Sequence, residues 1–234
     1  MTNARDHWFF WPDTAHDPYF NMAADELLLE LAPELGGVLL RVYGWDRPAM
    51  SIGRAQRHPA EPAAGVTTVR RPTGGGFVRH DGELTYTVVV PPEHPIGRLS
   101  RPESYRAFHA AMQSEFEVET RLAETGSEPD DRAAMQCFVS PSRDDLLSPE
   151  GVKYAGAAQR RTRNGILHQG SIRLDVAGGD RVELTKKLLA AFTRHFHADL
   201  QLWTVPEGFR EQAEQLALKK YASPDWNRHG RKND

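Results

Sequence analysis

The stretch "RRPTGGGFVRHDGELTYTVVV", residues 70–90, constrains the fold more than any other part of the chain. Its second half alternates Leu84, Tyr86, Val88 and Val90 with Thr85, Thr87 and Val89, the period-two pattern of a strand with one buried face. Its first half sets Gly74, Gly75 and Gly76 just ahead of that strand. Glycine packs nothing and costs backbone entropy, so a triplet marks a sharp bend or a close approach. Arg70, Arg71, Thr73, Arg79 and His80 flank the glycines. Bare N–H groups and cations in such a loop suit an anion or a carboxyl-like head group. An ordinary Gly-rich turn with solvated arginines fits the same letters.

Other segments supply the frame. "DPYFNMAADELLLELAPEL" spaces Phe20, Ala23, Ala24, Leu27, Leu28 and Leu31 as an amphipathic helix, with Asp17 and Pro18 as its start. "GVLLRVYGW" (37–45) and "GVTTVRR" (65–71) have strand character. "SRPESYRAFHAAMQSEF" predicts a helix with a Ser100–Glu103 capping box and a core stripe of Tyr105, Phe108, Met112 and Phe116. Residues 121–134 are polar and acidic, as in a mobile surface connection. "GVKYAGAAQRR" (151–161) and "GILHQGSIRLDV" (165–176) are strand-like and joined by the basic turn "TRN". A long helix through Leu184, Leu188, Phe192 and Phe196, a short strand "ADLQLWTV" and a helix through Phe209, Ala213 and Leu216 complete the pattern. No repeat or composition break divides the chain. We therefore expect one α+β domain over residues 1–234, a mixed, mostly antiparallel sheet flanked by helices, with a short polar tail at 227–234.

Bulk numbers narrow the function classes. Hydrophobic residues at 39% and charged residues at 26% are those of an ordinary globular protein. A formal net charge of −3 argues against whole-surface binding to nucleic acid. No apolar run approaches the roughly 18 residues of a membrane span, and "WFFW" stops at Pro12, short of a signal-peptide core. The single cysteine excludes an internal disulfide and fits a reducing cytoplasm.

Three features carry candidate chemistry. Strand alternation sets Lys153, Ala155, Ala157 and Gln159 on one face, a cation beside small side chains that suits a slender ligand lying along the strand. A solvent-facing lysine over packed alanines is the alternative. Cys137 in "MQCFVSPSRDDLL" has a loop-like setting open to nucleophilic chemistry, with Lys153 or a histidine to lower its pKa, or is a small buried hydrophobe. His80 borders the Gly-rich loop and His168 lies on the strand after the lysine strand, neither in a metal-ligand spacing. No "GxxxxGK[ST]", "GxSxG" or post-strand "GxGxxG" occurs.

Taken together, "YFNMAADELLL", "RVYGWDRPAMSIGRAQ", "RRPTGGG", "HDGELTYTVVVPPEHP", "CFVSPSRDDL", "GVKYAGAAQRRTRNGILHQGSI" and "KKYASPDWN" resemble the lipoate-protein ligase, octanoyltransferase and biotin ligase superfamily. The likeness is strongest to its lipoate-ligase-like protein N-octanoyltransferase branch. It implies the catalytic-domain fold shared with biotin ligases and class II aminoacyl-tRNA synthetases. It implies that Arg70, Arg71, Thr73, Gly74, Gly75, Gly76, His80, Gly156, Ala157 and His168 surround an eight-carbon acyl chain or its lipoyl relative. Lys153 matches the family's lysine at the acyl carbonyl, and Cys137 the acyl-accepting cysteine of the transferase branch. "HQGSI" departs from the commoner "QHGSI" order.

The implied activity is acyl transfer from octanoyl acyl-carrier protein to the lysine of a lipoyl domain, as in glycine cleavage H protein or a 2-oxoacid dehydrogenase E2, with no cofactor, nucleic acid or membrane. Arg70, Arg71, Arg79, Arg160, Arg161 and Arg163 are expected to form a basic rim for those acidic partners. The rival is a lipoate–protein ligase using ATP and Mg²⁺. The chain ends soon after "KKYASPDWN", so a ligase of this kind is expected to need a separate partner in place of the usual C-terminal domain. A non-enzymatic acyl- or nucleic-acid-binding module is the remote alternative.

Overall fold

The period-two segments pair into two sheets. The computed structural model describes residues 6–61, 63–115, 119–124, 141–177 and 179–230. In chain order the strands are β1 (Asp6–His16), β2 (Val38–Trp45), β3 (Ala49–Ile52), β4 (Thr67–Arg70), β5 (Val78–His80), β6 (Glu83–Val90), β7 (Arg121–Leu122), β8 (Leu146–Leu147), β9 (Lys153–Thr162), β10 (Gly165–Arg173) and β11 (Ala198–Leu202). The helices are α1 (Pro18–Leu31), α2 (Pro95–Arg98), α3 (Arg101–Gln113), α4 (Leu174–Ala177), α5 (Arg181–Phe196), α6 (Phe209–Leu216) and α7 (Pro224–His229). The large sheet runs β11–β1–β2–β6–β10–β9–β8–β7 and the small one β4–β3–β5. In the large sheet β1 is parallel to β2 and β11, and the remaining pairs are antiparallel. The expected mixed, mostly antiparallel α+β architecture is the one observed.

The two long helices that flank the site start where the sequence provides a cap. Asp17 accepts the Tyr19 N–H at 2.8 Å, and Pro18, which has no N–H to leave unpaired, opens α1. The Ser100–Glu103 capping box opens α3. The two faces of the large sheet bury different sets of side chains. On one, Trp8, Leu40, Tyr86 and Val88 pack with Phe108 and Met112 of α3 and Leu188 and Phe192 of α5. On the other, Leu39, Val89 and Leu167 pack with Phe20, Ala24 and Leu28 of α1 and Phe209 of α6. Each such large apolar side chain contributes roughly 1.5–3 kcal/mol of burial.

This double cover corrects one expectation. Strand β6 is buried along its whole length, not on one face. Its threonines survive burial because each has a carboxylate: Thr85 Oγ1 donates to Glu83 Oε1 at 3.1 Å, and α1 brings Asp25 to Thr87. Asp25 accepts from Thr87 Oγ1 at 2.7 Å, Arg41 Nη1 at 2.7 Å, Tyr43 OH at 3.1 Å and Gln169 Nε2 at 2.7 Å. Four donors satisfy that buried charge.

Three segments differ from their sequence expectation. Strand β1 contains the "WFFW" run, whose strand character the apolar pattern alone did not reveal. The polar stretch 121–134 begins with β7, paired to β8; residues 125–134 fall outside the described set. Residues 224–229 form α7, so the segment expected as a polar tail starts inside the fold, with Asn227 buried. Arg70 explains why. Its guanidinium donates to the carbonyls of Gly53, Gln56, Trp226 and Asn227, and Asn227 Oδ1 accepts the Arg70 N–H at 2.7 Å. Arg70 is thus the fastener between β4 and α7.

Candidate active site

Register sets the floor of a pocket. Tyr43 on β2 pairs with Thr85 on β6, Thr85 with Ser171 on β10, and Ser171 with Gly156 on β9. All four line one cavity enclosing about 550 Å³ of space, part of it open to solvent. Strands lie about 4.8 Å apart, so this row of mostly small residues spans about 14 Å. The roof comes from the small sheet and the Gly-rich loop, with Ser51, Arg71, Gly75, Gly76, Val78 and His80, and α1 adds Met22. The cavity therefore crosses the strands, whereas alternation along β9 suggested a ligand parallel to it.

Lys153 reaches this floor from an unexpected direction. The β8–β9 register shifts between Leu146 and Leu147, so β9 carries one extra residue there. Beyond the shift, Ala155 belongs to the core under α3, and Gly156 and Ala158 face the cavity. Lys153 is almost wholly buried, and its Nζ pairs with Asp145 Oδ2 at 2.6 Å. The solvent-facing alternative is excluded. A Cβ on Gly156 would lie 2.4 Å from Lys153 Nζ and 2.2 Å from its Cε, so the ammonium occupies the space that a side chain at this position would take. Asp145 is held in turn: the Ser142 N–H donates to it, and the Tyr105 hydroxyl stands 2.7 Å from its Oδ1.

The loop is built around Arg71. Its Nη2 donates to the carbonyls of Gly74 and Gly76, and its Nη1 to Ser51 O. Gly75 has φ +82, the left-handed region in which side chains are rarely tolerated. Thr73 Oγ1 donates to Gln169 Oε1 at 2.7 Å, and Gln169 Nε2 to Asp25, which ties the loop to the floor. At the far wall His80 stacks on Trp45, with Nδ1 2.7 Å from Glu83 Oε1 and Nε2 2.9 Å from Ser51 Oγ. Burial holds the His80 pKa below its ordinary value, although Glu83 pulls the other way. The neutral ring then donates from Nδ1 to Glu83 and accepts from Ser51. These polar groups satisfy one another, which leaves rings and CH surface to meet a ligand.

Of the residues singled out in the sequence, Arg71, Gly75, Gly76, His80, Gly156 and Ala157 line the cavity. Gly74 lines the adjoining cleft, Thr73 braces the loop and the end of Lys153 lies against Gly156. Two do not join them. Arg70 serves α7, as described. His168 faces the opposite side of the sheet, fully buried against Phe108 with Nδ1 3.0 Å from Gln159 Nε2, and burial holds its pKa well below the ordinary value. The basic rim is also narrower than expected. Arg70 and Arg71 are internal, Arg160 pairs with Glu26 at 3.3 Å, Arg79 with Asp81 at 3.2 Å, and Arg161 donates to Leu99 O at 2.7 Å. Cys137 lies outside the described residues. Asp145, Tyr105, Ser171, Thr85 and Gln169 had not been singled out. Only the acidic pair in "SRDDLL" hinted at Asp145, since cross-strand register is invisible in sequence.

Comparison with known proteins places this geometry. The profile of the lipoyl protein ligase A/B catalytic domain matches residues 17–199, more than half of the chain. Octanoyltransferase LipM of Geobacillus kaustophilus is 32% identical, with 96% of this chain and 99% of that protein covered. Octanoyltransferase LipM of Anoxybacillus flavithermus is 37% identical, with 95% and 98% covered. A bi-partite lipoate protein ligase from Thermoplasma acidophilum has the same fold, with a TM-score of 0.79, 19% identity and coverage of 98% and 99%.

Proposed function

Because the chain belongs to the lipoyl protein ligase A/B catalytic domain family, we propose that it is an octanoyltransferase of lipoate assembly, moving the acyl group from acyl-carrier protein through a cysteine thioester to the lysine of a lipoyl domain. The single observation that carries this reading is the buried Lys153–Asp145 pair against Gly156, at one end of a cavity floored mostly by small side chains. An oriented ammonium in a dry site stabilises a developing oxyanion or thiolate. The likeness to LipM octanoyltransferases supports the acyl group and the class of reaction.

The proposed chemistry has two exchanges. The Cys137 thiolate attacks the donor thioester; the new Sγ–C bond forms as the C–S bond to the carrier breaks, and the carrier leaves as thiolate. A neutral lysine amine of the lipoyl domain then attacks. The C–N bond forms, the C–Sγ bond breaks, and the amine's proton ends on the departing Cys137 sulfur. The thioester supplies the activation, so neither exchange consumes a nucleotide. Lys153 lies close to the carbonyl in both steps. Acceptors are lipoyl domains such as those of H protein or an E2 subunit.

The test is transfer from octanoyl acyl-carrier protein to a purified lipoyl domain with ATP omitted and EDTA present. The lipoyl domain should gain one octanoyl unit, and free lipoate with ATP and Mg²⁺ should give little adenylate. Ready adenylate formation with the carrier thioester ignored would establish the ligase chemistry instead.

A further inference from the structure

A second cleft adjoins the acyl cavity. It encloses about 790 Å³, again partly open, and shares Gly75, Ser142, Ala157 and Ala158 with the first. The cleft follows the β9 edge. Strand β8 pairs with β9 only at Lys153 and Ala155, so from Gly156 onward that side of β9 has no strand partner among the described residues. At Ala157 the outward N–H and C=O are both taken by the Tyr105 hydroxyl, at 2.8 and 2.7 Å. Gln159, two residues on, turns its own backbone N–H and C=O to the same side, by the alternation of an antiparallel ladder.

Helix α3 runs back along this edge. Tyr105 sits at Ala157, Ser104 Oγ at Gln159, and Arg161 donates to the carbonyls of Leu99 and Ser100. Arg101 is therefore one turn beyond Tyr105, at the outer end of the cleft, with Pro102 beside it. Arg101 is exposed and has no ion-pair partner among the described residues. Arg143, on the opposite lip, is 71% exposed and only loosely paired to Asp144, at 4.0 Å. The acids nearby are engaged: Asp144 with Arg106 at 3.2 Å, Asp145 with Lys153. From Gly156 to the level of Arg101 is about four residues of strand, or about 13 Å.

We infer that this cleft takes the phosphopantetheine arm of the acyl donor, with the phosphate on Arg101 and Arg143 and the arm's amides along the β9 edge at Gln159. This rests on the transferase reading and adds to it the path and anchor of the donor. The acyl chain enters the cavity past Gly156, its thioester stands over Lys153, and the arm leaves along β9 toward solvent. A thioester without the arm spans none of that distance, and a neutral arm leaves the two arginines unused. Phosphate oxygens suit guanidinium donors in charge and geometry.

The experiment compares S-octanoyl-pantetheine with S-octanoyl-4′-phosphopantetheine as donors to a lipoyl domain, using the full chain. The phosphorylated donor should have a kcat/KM about tenfold higher, carried by KM, as expected for a partly screened charge-assisted contact. In Arg101→Gln/Arg143→Gln the ratio between the donors should fall to about one. A wild-type ratio near one, or a ratio that survives in the variant, overturns the assignment. So does competition by ATP or AMP that the same variant abolishes, since that marks a nucleotide phosphate site. If neither thioester acylates the protein, the transferase reading itself fails, an outcome separate from equal use of both.

Discussion

Lys153 is held by a partner it cannot lose without stranding a charge. Asp145 is fully buried, so Lys153→Ala leaves an unpaired carboxylate in the core and should cost about 3–5 kcal/mol of stability. Loss of activity in that variant alone proves little. Lys153→Met/Asp145→Asn removes both charges; its amide oxygen still accepts the Ser142 N–H, and its NH2 faces the Tyr105 hydroxyl oxygen, so most of the stability should return while transfer stays about 100-fold or more below wild type. Chemical denaturation beside the transfer rate separates the two effects. A stable Lys153→Ala, or an active double variant, would remove Lys153 from the proposed chemistry. Residue types were legible at this scale, and their partners were not. The sequence marks Lys153, His80 and Arg71 as unusual, yet does not pair them with Asp145, Glu83 or Gly74 O, each of which fixes one of them. Arg70 and His168 show the converse: both sit within conspicuous motifs, and tertiary packing assigns one to α7 and the other to the core.

At the scale of elements, β9 concentrates the design. An extra residue at its start, a glycine against the lysine and, among the described residues, no strand partner on its outer side beyond Gly156 set this strand apart from the rest of the sheet. Gly156 has no positive φ, so Gly156→Ala meets no backbone strain; its Cβ collides with the Lys153 ammonium and comes within 3.0 Å of Asp145 Oδ1. The variant should melt cooperatively with a loss of about 1–3 kcal/mol, typical of overpacking, and its transfer rate should fall at least tenfold. Unchanged transfer would mean that the position of the ammonium is immaterial. Helices and strands were readable because their periods and caps are local: Asp17–Pro18, the Ser100–Glu103 box and the β6 alternation each act within a few residues. The bulge was not readable, because it exists only against β8.

For the whole molecule, the proposed chemistry lies where a small sheet roofs a large one. The sequence pointed to one mixed sheet and not to a second one over it; periodicity supplied the parts but not their order, because β6 pairs with β2 and β10 across intervening strands and helices. The mixed direction of the large sheet came from β1, a strand hidden in an aromatic run. Among the described residues no helix is long and apolar enough to cross a membrane. The central claim is that the acyl group rests on the protein before it reaches the acceptor. Intact mass spectrometry after incubation with octanoyl acyl-carrier protein, with no lipoyl domain present, tests it most directly. The account predicts a gain of one octanoyl unit that hydroxylamine removes and that Cys137→Ala never acquires. An adduct that persists in Cys137→Ala, or one that hydroxylamine leaves in place, would contradict it.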